Sequence, residues 1–511
     1  MYARRVTDVV VIGAGPNGLV AACHLAEAGL DVLVLEAQAE LGGACRSSES
    51  TLPGFVHDVG AAFFPFAKHS PALASLELAS HGLVFHHAPI DSAHPALDGS
   101  CGVIARDLER CCALLGDDGP AWREVATWYA SVQAELLPAL LSTFPPLGSA
   151  TKLGPSTLLR LARVALSSGR GYAESLFRTE AARRMLPGLA LHTDVGPDDP
   201  LGAIVGFMLA VTASYGGFAV PEGGAGAITR ALAAKLASRG GVVRTGARVS
   251  RVVTRGGRAV AVRTEASDEI EARSAIVADV AAEALYLRML SPSVVPSTVL
   301  DSMRRFQRGF GTFKVDWALD GPVPWSSEPC LEAAVVHPGE SNDDLARFTD
   351  EVRRGLLPEL PYLVVGQQSL VDPTRAPEGQ HTLWAYSRVP SELAGGWTRD
   401  ACERFADRVD ARIEGLAPGF RARVRARHLV SPVDLERLDE NLLGGDLGGG
   451  TAQIQNQLLF RPSFPYFRYR TPVRGLYLGS SYAHPGAGVH GACGHNAALA
   501  VLSDLGVGAG G

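Results

Sequence analysis

The chain has few of the residues that mark several common classes of protein. Only 8 of its 511 residues are cysteine, and none stand in a CxxC or CxxxxC spacing. This excludes a disulfide scaffold and removes the usual signatures of a structural zinc site and of a redox-active dithiol. We therefore predict a reducing, cytoplasmic compartment. Residues 1–6 run directly into an apolar segment, so we also predict that they do not begin a signal peptide.

Positive charge, and lysine in particular, is also scarce. Of the 47 basic residues only four are lysine, and the formal net charge is −6. Without a lysine-rich tract or a positive balance, we predict no nucleic-acid partner. The composition is 47% hydrophobic and 20% charged, which is too apolar for a disordered chain, and the length predicts two or three domains.

One stretch lacks charge altogether. Leu201–Val220 is twenty residues long, which is the length of a membrane span, but it contains four glycines and has acidic residues close to both ends. We predict a buried helix from about residue 201 to 213 followed by a glycine turn, with a membrane span as the alternative. Tyr215 and Phe218 could line a tunnel for a long apolar substrate, although ordinary core packing explains them equally well.

The N-terminal region carries the most specific pattern in the sequence. Residues 8–13 form an apolar, β-branched run that is typical of a parallel strand buried on both faces. A GxGxxG motif follows at once, a helix is predicted from about residue 19 to 27, and residues 31–36 form a second strand. This strand–loop–helix–strand unit predicts dinucleotide binding.

Each residue of this unit has a separate role in the prediction. Gly13 permits the tight turn, Gly15 lets a pyrophosphate approach the backbone, and Gly18 lets the helix pack on the strand. Pro16 suits the first helical turn, where free N–H groups face an anion. Glu36, eighteen residues beyond Gly18, is placed to accept hydrogen bonds from ribose hydroxyls.

A second glycine pair favours FAD over NAD. Gly42 and Gly43 follow Glu36 so closely that they would bring more backbone to the pyrophosphate. Arg46 could add positive charge there, although a solvated arginine fits the pattern almost as well. The region predicts an α/β fold class with a Rossmann-type FAD-binding domain.

The rest of the chain contains two larger blocks. Residues 91–200 are rich in leucine and alanine and read as an inserted helical cap, and residues 291–468 form a second variable block. Between and after these blocks, the sequence again shows short strand patterns like those of the N-terminal region. The predicted helices are 121–141, 158–166, 174–191, 229–238 and 496–505, and the predicted strands are 242–244, 247–253, 259–263, 275–279 and 475–479.

Residues 8–47, 221–253 and 469–502 resemble the FAD-dependent phytoene desaturase superfamily. The most specific block runs from Tyr469 to Gly491 and reads YRTPVRGLYLGSSYAHPGAGVHG. Within the superfamily, the blocks are most similar to the phytoene dehydrogenase-related branch, which is also described as pyridine nucleotide-disulfide oxidoreductase domain-containing. The resemblance implies a glutathione reductase- and amine oxidase-like FAD domain with an inserted mixed-sheet substrate domain and a helical cap.

The resemblance also implies domain boundaries and a cofactor site. A discontinuous FAD-binding domain would comprise residues 1–90, 216–290 and 469–511, a helical cap or substrate region 91–215, and a substrate domain 291–468. FAD would be held non-covalently, with its ring near the glycine turns of the last block. Together with the motifs above, this gives the predicted cofactor residues: Gly13, Gly15, Pro16, Asn17, Gly18, Glu36, Ala37, Gly42, Gly43, Arg46, Val249, Gly479, Gly488 and Val489.

Histidines are concentrated near the end of the chain. The spacing of His484, His490 and His495 matches no zinc pattern, so we predict no metal. His484 and His490 are candidate catalytic residues, as a proton donor or an orienting group beside the flavin, and loop packing is the alternative. Cys493 begins the last helix, where a thiolate would be favoured, but its neighbours do not match a motif for covalent flavin attachment.

These features predict a FAD-dependent oxidoreductase that desaturates or oxidises a hydrophobic, isoprenoid- or polyene-like substrate by hydride transfer to flavin. Two alternatives remain: the same scaffold used for alkene reduction, hydration or isomerisation, or a flavin-bearing interaction protein without turnover. We found no second nucleotide-binding motif, so we expect dioxygen or a quinone as the electron acceptor. We also expect the cap to make a peripheral membrane contact without a span.

Overall fold

The computed structural model describes residues 5–67, 69–146, 148 and 151–507, so residues 1–4 of the segment considered for a signal peptide lie outside the described part. The described strands are β1 (Arg5–Ile12), β2 (Val32–Leu35), β3 (Ser47–Ser48), β4 (His57–Asp58), β5 (Phe85–His86), β6 (Ile90–Pro95), β7 (Cys101–Ile104), β8 (Val220–Pro221), β9 (Val242–Arg244), β10 (Val249–Arg255), β11 (Arg258–Thr264), β12 (Glu269–Ala278), β13 (Gly311–Leu319), β14 (Ala333–Val336), β15 (Val364–Gly366), β16 (His381–Val389), β17 (Val424–Val430) and β18 (Leu476–Leu478).

The α-helices connect and cover these strands. They are α1 (Pro16–Glu27), α2 (Pro71–Ala74), α3 (Leu108–Leu115), α4 (Gly119–Leu141), α5 (Gly154–Ala165), α6 (Gly169–Leu176), α7 (Glu180–Arg183), α8 (Met185–Ala190), α9 (Ala203–Gly216), α10 (Gly226–Ser238), α11 (Ser297–Arg304), α12 (Glu328–Leu331), α13 (Asn342–Arg353), α14 (Arg399–Leu416), α15 (Phe420–Arg423), α16 (Pro432–Leu438) and α17 (Ala492–Leu505).

The first sheet has the strand order β10-β11-β12-β1-β2-β9, with β18 paired to β12. Strand β1 runs parallel to both β2 and β12, and β18 runs parallel to β12. Val9, Val10 and Val11 are fully buried because β1 lies inside the sheet between β2 and β12 and α1 packs against it. The parallel strands end at one edge of the sheet, so the segments that follow β1, β2, β12 and β18 meet there.

The second sheet is mixed and has the order β17-β13-β16-β15-β14-β6-β7. Strand β13 is buried along its whole length because it pairs with β16 and β17 inside the sheet. Strand β6 runs parallel to β14, whereas the other pairings of this sheet are antiparallel. The predicted α/β fold class, a Rossmann-type domain combined with a second, mixed sheet, is confirmed.

Two segments differ from the sequence-based expectation. The block from residue 91 begins with strands β6 and β7 rather than with a helix. Asp91, Ser92 and His94 on β6 are buried in the folded chain, where they have polar partners that the local sequence pattern does not reveal. The helix predicted at 174–191 is three shorter helices, α6, α7 and α8. Thr179 ends the continuity because its hydroxyl caps α7 at the Ala182 N–H. The domain boundaries themselves stay predictions.

The uncharged stretch forms a helix too short to cross a bilayer. Helix α9 has 14 residues and ends at Gly216, and the following Gly217 has a φ of 79°. No helix in the described part of the chain is long and apolar enough to span a membrane. Phe218 is 1% exposed and belongs to the core of the second sheet, whereas Tyr215 is 41% exposed.

Candidate functional site

A cavity of about 550 Å³ lies along the carboxyl edge of the first sheet. Its volume falls within the range of about 300–1,000 Å³ that is usual for small-molecule sites. Ten of the predicted cofactor residues line it: Gly13, Gly15, Pro16, Asn17, Glu36, Ala37, Gly43, Val249, Gly488 and Val489. Six predicted site residues do not line it: Gly18, Gly42, Arg46, Gly479, His484 and His490.

The first glycine loop is shaped by close backbone contacts. Gly13 has a φ of 96°, and a Cβ atom there would lie 2.6 Å from the carbonyl oxygen of Asp279. A Cβ atom on Gly18 would lie 2.2 Å from the carbonyl oxygen of Gly13, so only glycine lets helix α1 start this close to β1. The start of α1, at Gly15, Pro16 and Asn17, therefore lies on the cavity wall with the positive end of the helix dipole.

Glu36 follows β2 and is held by two backbone donors. The N–H of Ala14 donates to Oε2 and the N–H of Gln38 donates to Oε1, each at 2.8 Å. Each carboxylate oxygen keeps a further lone pair for a ligand hydroxyl. The side chain is 7% exposed on the cavity wall, which is where the ribose prediction placed it.

The second glycine pair approaches the first, as its spacing predicts. The N–H of Gly42 donates to the carbonyl of Ala14 at 2.9 Å, and a Cβ atom on Gly43 would lie 3.4 Å from Cα of Gly15. Arg46 lies behind the cavity wall that these glycines form. Its guanidinium donates to the carbonyls of Gly43 at 2.9 Å and Leu438 at 2.6 Å, so it ties the loop to the segment after α16.

Sequence reasoning missed two acids on the cavity wall. Asp279 directly follows β12, and its Oδ2 accepts the Gly18 N–H at 2.8 Å. Burial raises the pKa of Asp279 to about 7, against the lowering effect of that hydrogen bond. Asp439 lies opposite, and burial together with the charge of Glu36 raises its pKa. For Asp279, the available signal was an acid at the end of a strand parallel to β1.

The order of strands gives the cavity a direction. Glu36 follows β2 on one side of β1, whereas the loop from Gly479 to Val489 follows β18 on the other side. A dinucleotide with its ribose at Glu36 and its pyrophosphate at the start of α1 therefore extends toward Ser481 and Ala487–Val489. The residues present fit FAD, with the flavin ring at the β18 end. Gly479 supports that end, since its N–H donates to the Ala278 carbonyl at 2.9 Å.

The terminal histidines lie behind the cavity wall as neutral groups. Burial lowers the pKa of His484 and of His490 to about 4. His490 Nδ1 accepts the Ala492 N–H at 3.1 Å, and its ring contacts Phe66. A neutral imidazole can accept a proton but is a poor acid at neutral pH. Their catalytic role stays a prediction. Across the described residues, no group of three or more histidine, cysteine or acidic side chains could hold a metal.

The expected thiolate at Cys493 is wrong. The side chain is fully buried and its Sγ donates to the Gly486 carbonyl at 3.3 Å. Burial raises the pKa of Cys493 to about 12 and outweighs the favourable position at the start of α17. A neutral, enclosed thiol is consistent with non-covalent cofactor binding.

When bound, FAD supplies a two-electron acceptor for hydride. The chain's own residues hold the cofactor through backbone N–H groups and Glu36, and they surround its ring end with closely packed backbone. FAD held in this way would support flavin-dependent oxidation or reduction, with the substrate expected near the Ser481–Val489 wall.

Comparison with known proteins agrees with this site. The chain is 28% identical to pyridine nucleotide-disulfide oxidoreductase domain-containing protein 2 of Mus musculus, over 98% of this chain and 94% of that protein. It is 27% identical to phytoene dehydrogenase of Streptomyces griseus, over 95% and 92% of the two chains. A redesigned triple mutant of putrescine oxidase shares the fold, with a TM-score of 0.64, 17% identity and coverage of 98% and 100%.

The resemblance noted in the sequence is confirmed by these two relatives. The family model for flavin containing amine oxidoreductases matches residues 17–502. The match begins after β1 and covers the other strands of both sheets and the cavity residues from Asn17 to Val489. The chain therefore belongs to the flavin-containing amine oxidoreductase family and is a FAD-dependent oxidoreductase.

Proposed function

We propose that this enzyme oxidises a neutral, hydrophobic substrate of isoprenoid or polyene type, and that it introduces a C–C double bond. The alternative within the family is oxidation of an amine, which is a cation at neutral pH. The two substrate classes differ in charge, so the charge of the protein around the cavity distinguishes them.

An aromatic layer connects the cavity with the second sheet. Ala44 lines the cavity, and its carbonyl accepts the N–H groups of Gly60 and Ala61 at 3.1 and 3.2 Å. Phe63 follows directly, and its ring centroid lies 5.9 Å from that of Trp384 on β16. Trp384 stacks on Tyr386 at 5.4 Å. Such rings offer a large apolar surface to an uncharged substrate.

The charge next to this layer is the observation that carries the proposal. Arg388 on β16 lies with its guanidinium 5.2 Å from the Tyr386 ring centroid and is 4% exposed. It donates to the hydroxyl of Thr312 at 2.7 Å and to the Leu191 carbonyl at 3.4 Å. No ion pair with a carboxylate is found for it within the described chain. An unneutralised buried cation repels an ammonium group but imposes no charge penalty on a hydrocarbon.

The reaction removes a hydride from one carbon and a proton from its neighbour. The hydride would pass with its two electrons to bound FAD. These electrons, together with two protons, would pass on to dioxygen or a quinone, which would become hydrogen peroxide or a quinol. We expect NAD(P)⁺ to be a poor oxidant, because the sequence contains no second nucleotide-binding motif. The protein's contribution is to place the substrate against the ring, to keep water out and to leave no charge that favours a cation.

Anaerobic mixing of the FAD-loaded protein with defined probes tests the proposal. Phytoene in detergent micelles should bleach the visible flavin absorbance, whereas putrescine should not. Arg388→Gln is the matched variant: it should leave phytoene oxidation in place and make reduction by putrescine measurable.

Reduction by putrescine alone in the parent protein would overturn the proposal. Product formation from phytoene while the flavin stays oxidised would favour isomerisation or hydration. No reaction with either probe, with FAD bound, would favour a non-catalytic flavoprotein.

We also propose a peripheral membrane contact through the helical segment around α5. Leu159 and Leu166, two turns apart at the end of this helix, are each 74% exposed. Arg163 on the same helix is also exposed and would face lipid head groups. This surface would let an apolar substrate be collected from a bilayer.

A further inference from the structure

Arg461 is buried directly behind the ring end of the cavity. Its side chain is 3% exposed, and Nη2 donates to the carbonyls of Ser481 at 2.7 Å, Gly448 at 2.7 Å and Gly449 at 3.1 Å. Nε donates to Ser481 as well, at 3.2 Å. A Cβ atom on Gly486 would lie 3.1 Å from Nη2. Since Ser481 lines the cavity, only one layer of backbone separates the guanidinium from the ligand space.

The charge of Arg461 is not cancelled by direct contact with an acid. Its hydrogen-bond acceptors are carbonyls, and within the described residues no carboxylate lies at ion-pair distance. Asp446 accepts the N–H groups of Gly309, Gly448 and Gly450 instead. Burial lowers the pKa of Arg461, but a guanidinium stays protonated in proteins. A fixed positive charge therefore acts on the Ser481–Gly488 wall through a medium of low dielectric constant.

We propose that Arg461 is a positioning residue that stabilises negative charge on the reduced flavin ring and so raises the reduction potential of the bound cofactor. Two electrons and one proton enter the ring when it accepts a hydride, which leaves the ring with one negative charge if no second proton follows. A nearby cation favours that state over the neutral oxidised ring. The inference rests on FAD binding and on the direction of the cavity. It does not depend on the identity of the substrate.

Sulfite provides a test that needs no substrate. The sulfur lone pair of sulfite forms a bond to the oxidised ring and leaves the ring negatively charged. The affinity for sulfite therefore reports how strongly the protein stabilises negative charge on the ring. For Arg461→Gln we expect sulfite to bind at least about tenfold more weakly than to the parent protein. We also expect the two-electron midpoint potential of the bound flavin to be lower by about 30 mV, which corresponds to a tenfold change in an equilibrium constant. Arg461→Lys, which keeps the charge, should stay close to the parent protein.

Arg468→Gln is the control for loss of the same charge at an exposed position, where solvent and salt screen it. It should change neither quantity. Unchanged sulfite affinity and potential in FAD-loaded Arg461→Gln would overturn the proposal.

If Arg461→Gln does not retain FAD, Arg461→His decides the question. The imidazole carries a positive charge only at low pH. The neighbouring buried histidines have pKa values of about 4, so the ratio of its sulfite affinity to that of the parent should fall as the pH rises from 4 to 6. A ratio that does not change over this range would overturn the proposal. Each outcome is obtained without turnover, so failure here is separate from failure of the proposed desaturase activity.

Discussion

The two sheets of this molecule place polar groups in opposite ways. At the edge of the first sheet, two glycine loops that are close in sequence form one part of the cavity wall, and Glu36 and Asp279 add carboxyl groups. Inside the second sheet, the polar groups are side chains from distant segments. The first arrangement depends on backbone geometry and leaves a motif in the sequence. The second depends on which segments meet, and no local pattern records it.

The buried chain of side chains in the second sheet illustrates this. Tyr386 Oη lies 3.2 Å from His192 Nδ1, and His192 Nε2 lies 2.8 Å from His337 Nε2. The Ser92 hydroxyl then joins His337 Nδ1 and His94 Nε2, each at 2.9 Å. Burial lowers the pKa of all three histidines, to about 3 for His192. They are therefore neutral hydrogen-bonding groups that link β6, β14 and β16.

The largest effect is expected at the first glycine loop. A Cβ atom on Gly15 would lie 2.9 Å from Asp279 Oδ2, and the valine methyl groups of Gly15→Val would occupy the space of the pyrophosphate. We expect the variant to purify without FAD, as measured by the ratio of flavin to protein absorbance. Gly415→Val, at an exposed helical position with no close contact except Leu97 at 3.6 Å, should keep its flavin. Stoichiometric FAD in Gly15→Val would show that the cavity has been misassigned.

A smaller, pH-dependent effect is expected at Asp279. Its pKa of about 7 is raised by burial, so the carboxyl group is neutral below that pH and charged above it. The anionic pyrophosphate favours the neutral form, and FAD binding should therefore weaken above pH 7 by up to about tenfold per pH unit. Asp279→Asn should remove this slope, as measured by flavin fluorescence titration between pH 6 and 9. A parent protein whose FAD affinity is flat across this range would contradict the assignment.

A substitution in the polar network of the second sheet should lower the stability of the protein without lowering its FAD content. Ser92→Ala leaves two buried imidazole nitrogens without a partner, each at a cost of about 1–3 kcal/mol. We expect the thermal midpoint to fall by several degrees while the flavin ratio stays at the parent value. Ser293→Ala, at an exposed serine, should change neither. Loss of FAD from Ser92→Ala would show that the two sheets are coupled more tightly than their separate polar arrangements indicate.

Most of the cofactor site could be predicted because only glycine fits where two backbone segments lie very close together. Gly13, Gly15 and Gly43 lie on the cavity wall as predicted, and Glu36 follows at a spacing set by one helix and one strand. Asp279 and Asp439 were missed because they reach the cavity from segments more than 200 residues after the motif. The role of Arg46 beside the cofactor stays a prediction, and its contacts with the carbonyls of Gly43 and Leu438 depend on a neighbour far away in sequence.

The sequence by itself determined the dinucleotide unit, the preference for FAD and the parallel core, because backbone conformation and burial on both faces restrict residue choice locally. Only the tertiary structure decided which titratable side chains are charged and which residues surround them. Burial turned Cys493 into an inert thiol and the terminal histidines into neutral groups. It also enclosed Arg388 and Arg461, for which no ion pair with a carboxylate is found among the residues that the structure describes. Desolvation and pairing depend on the whole fold, so no motif carries them.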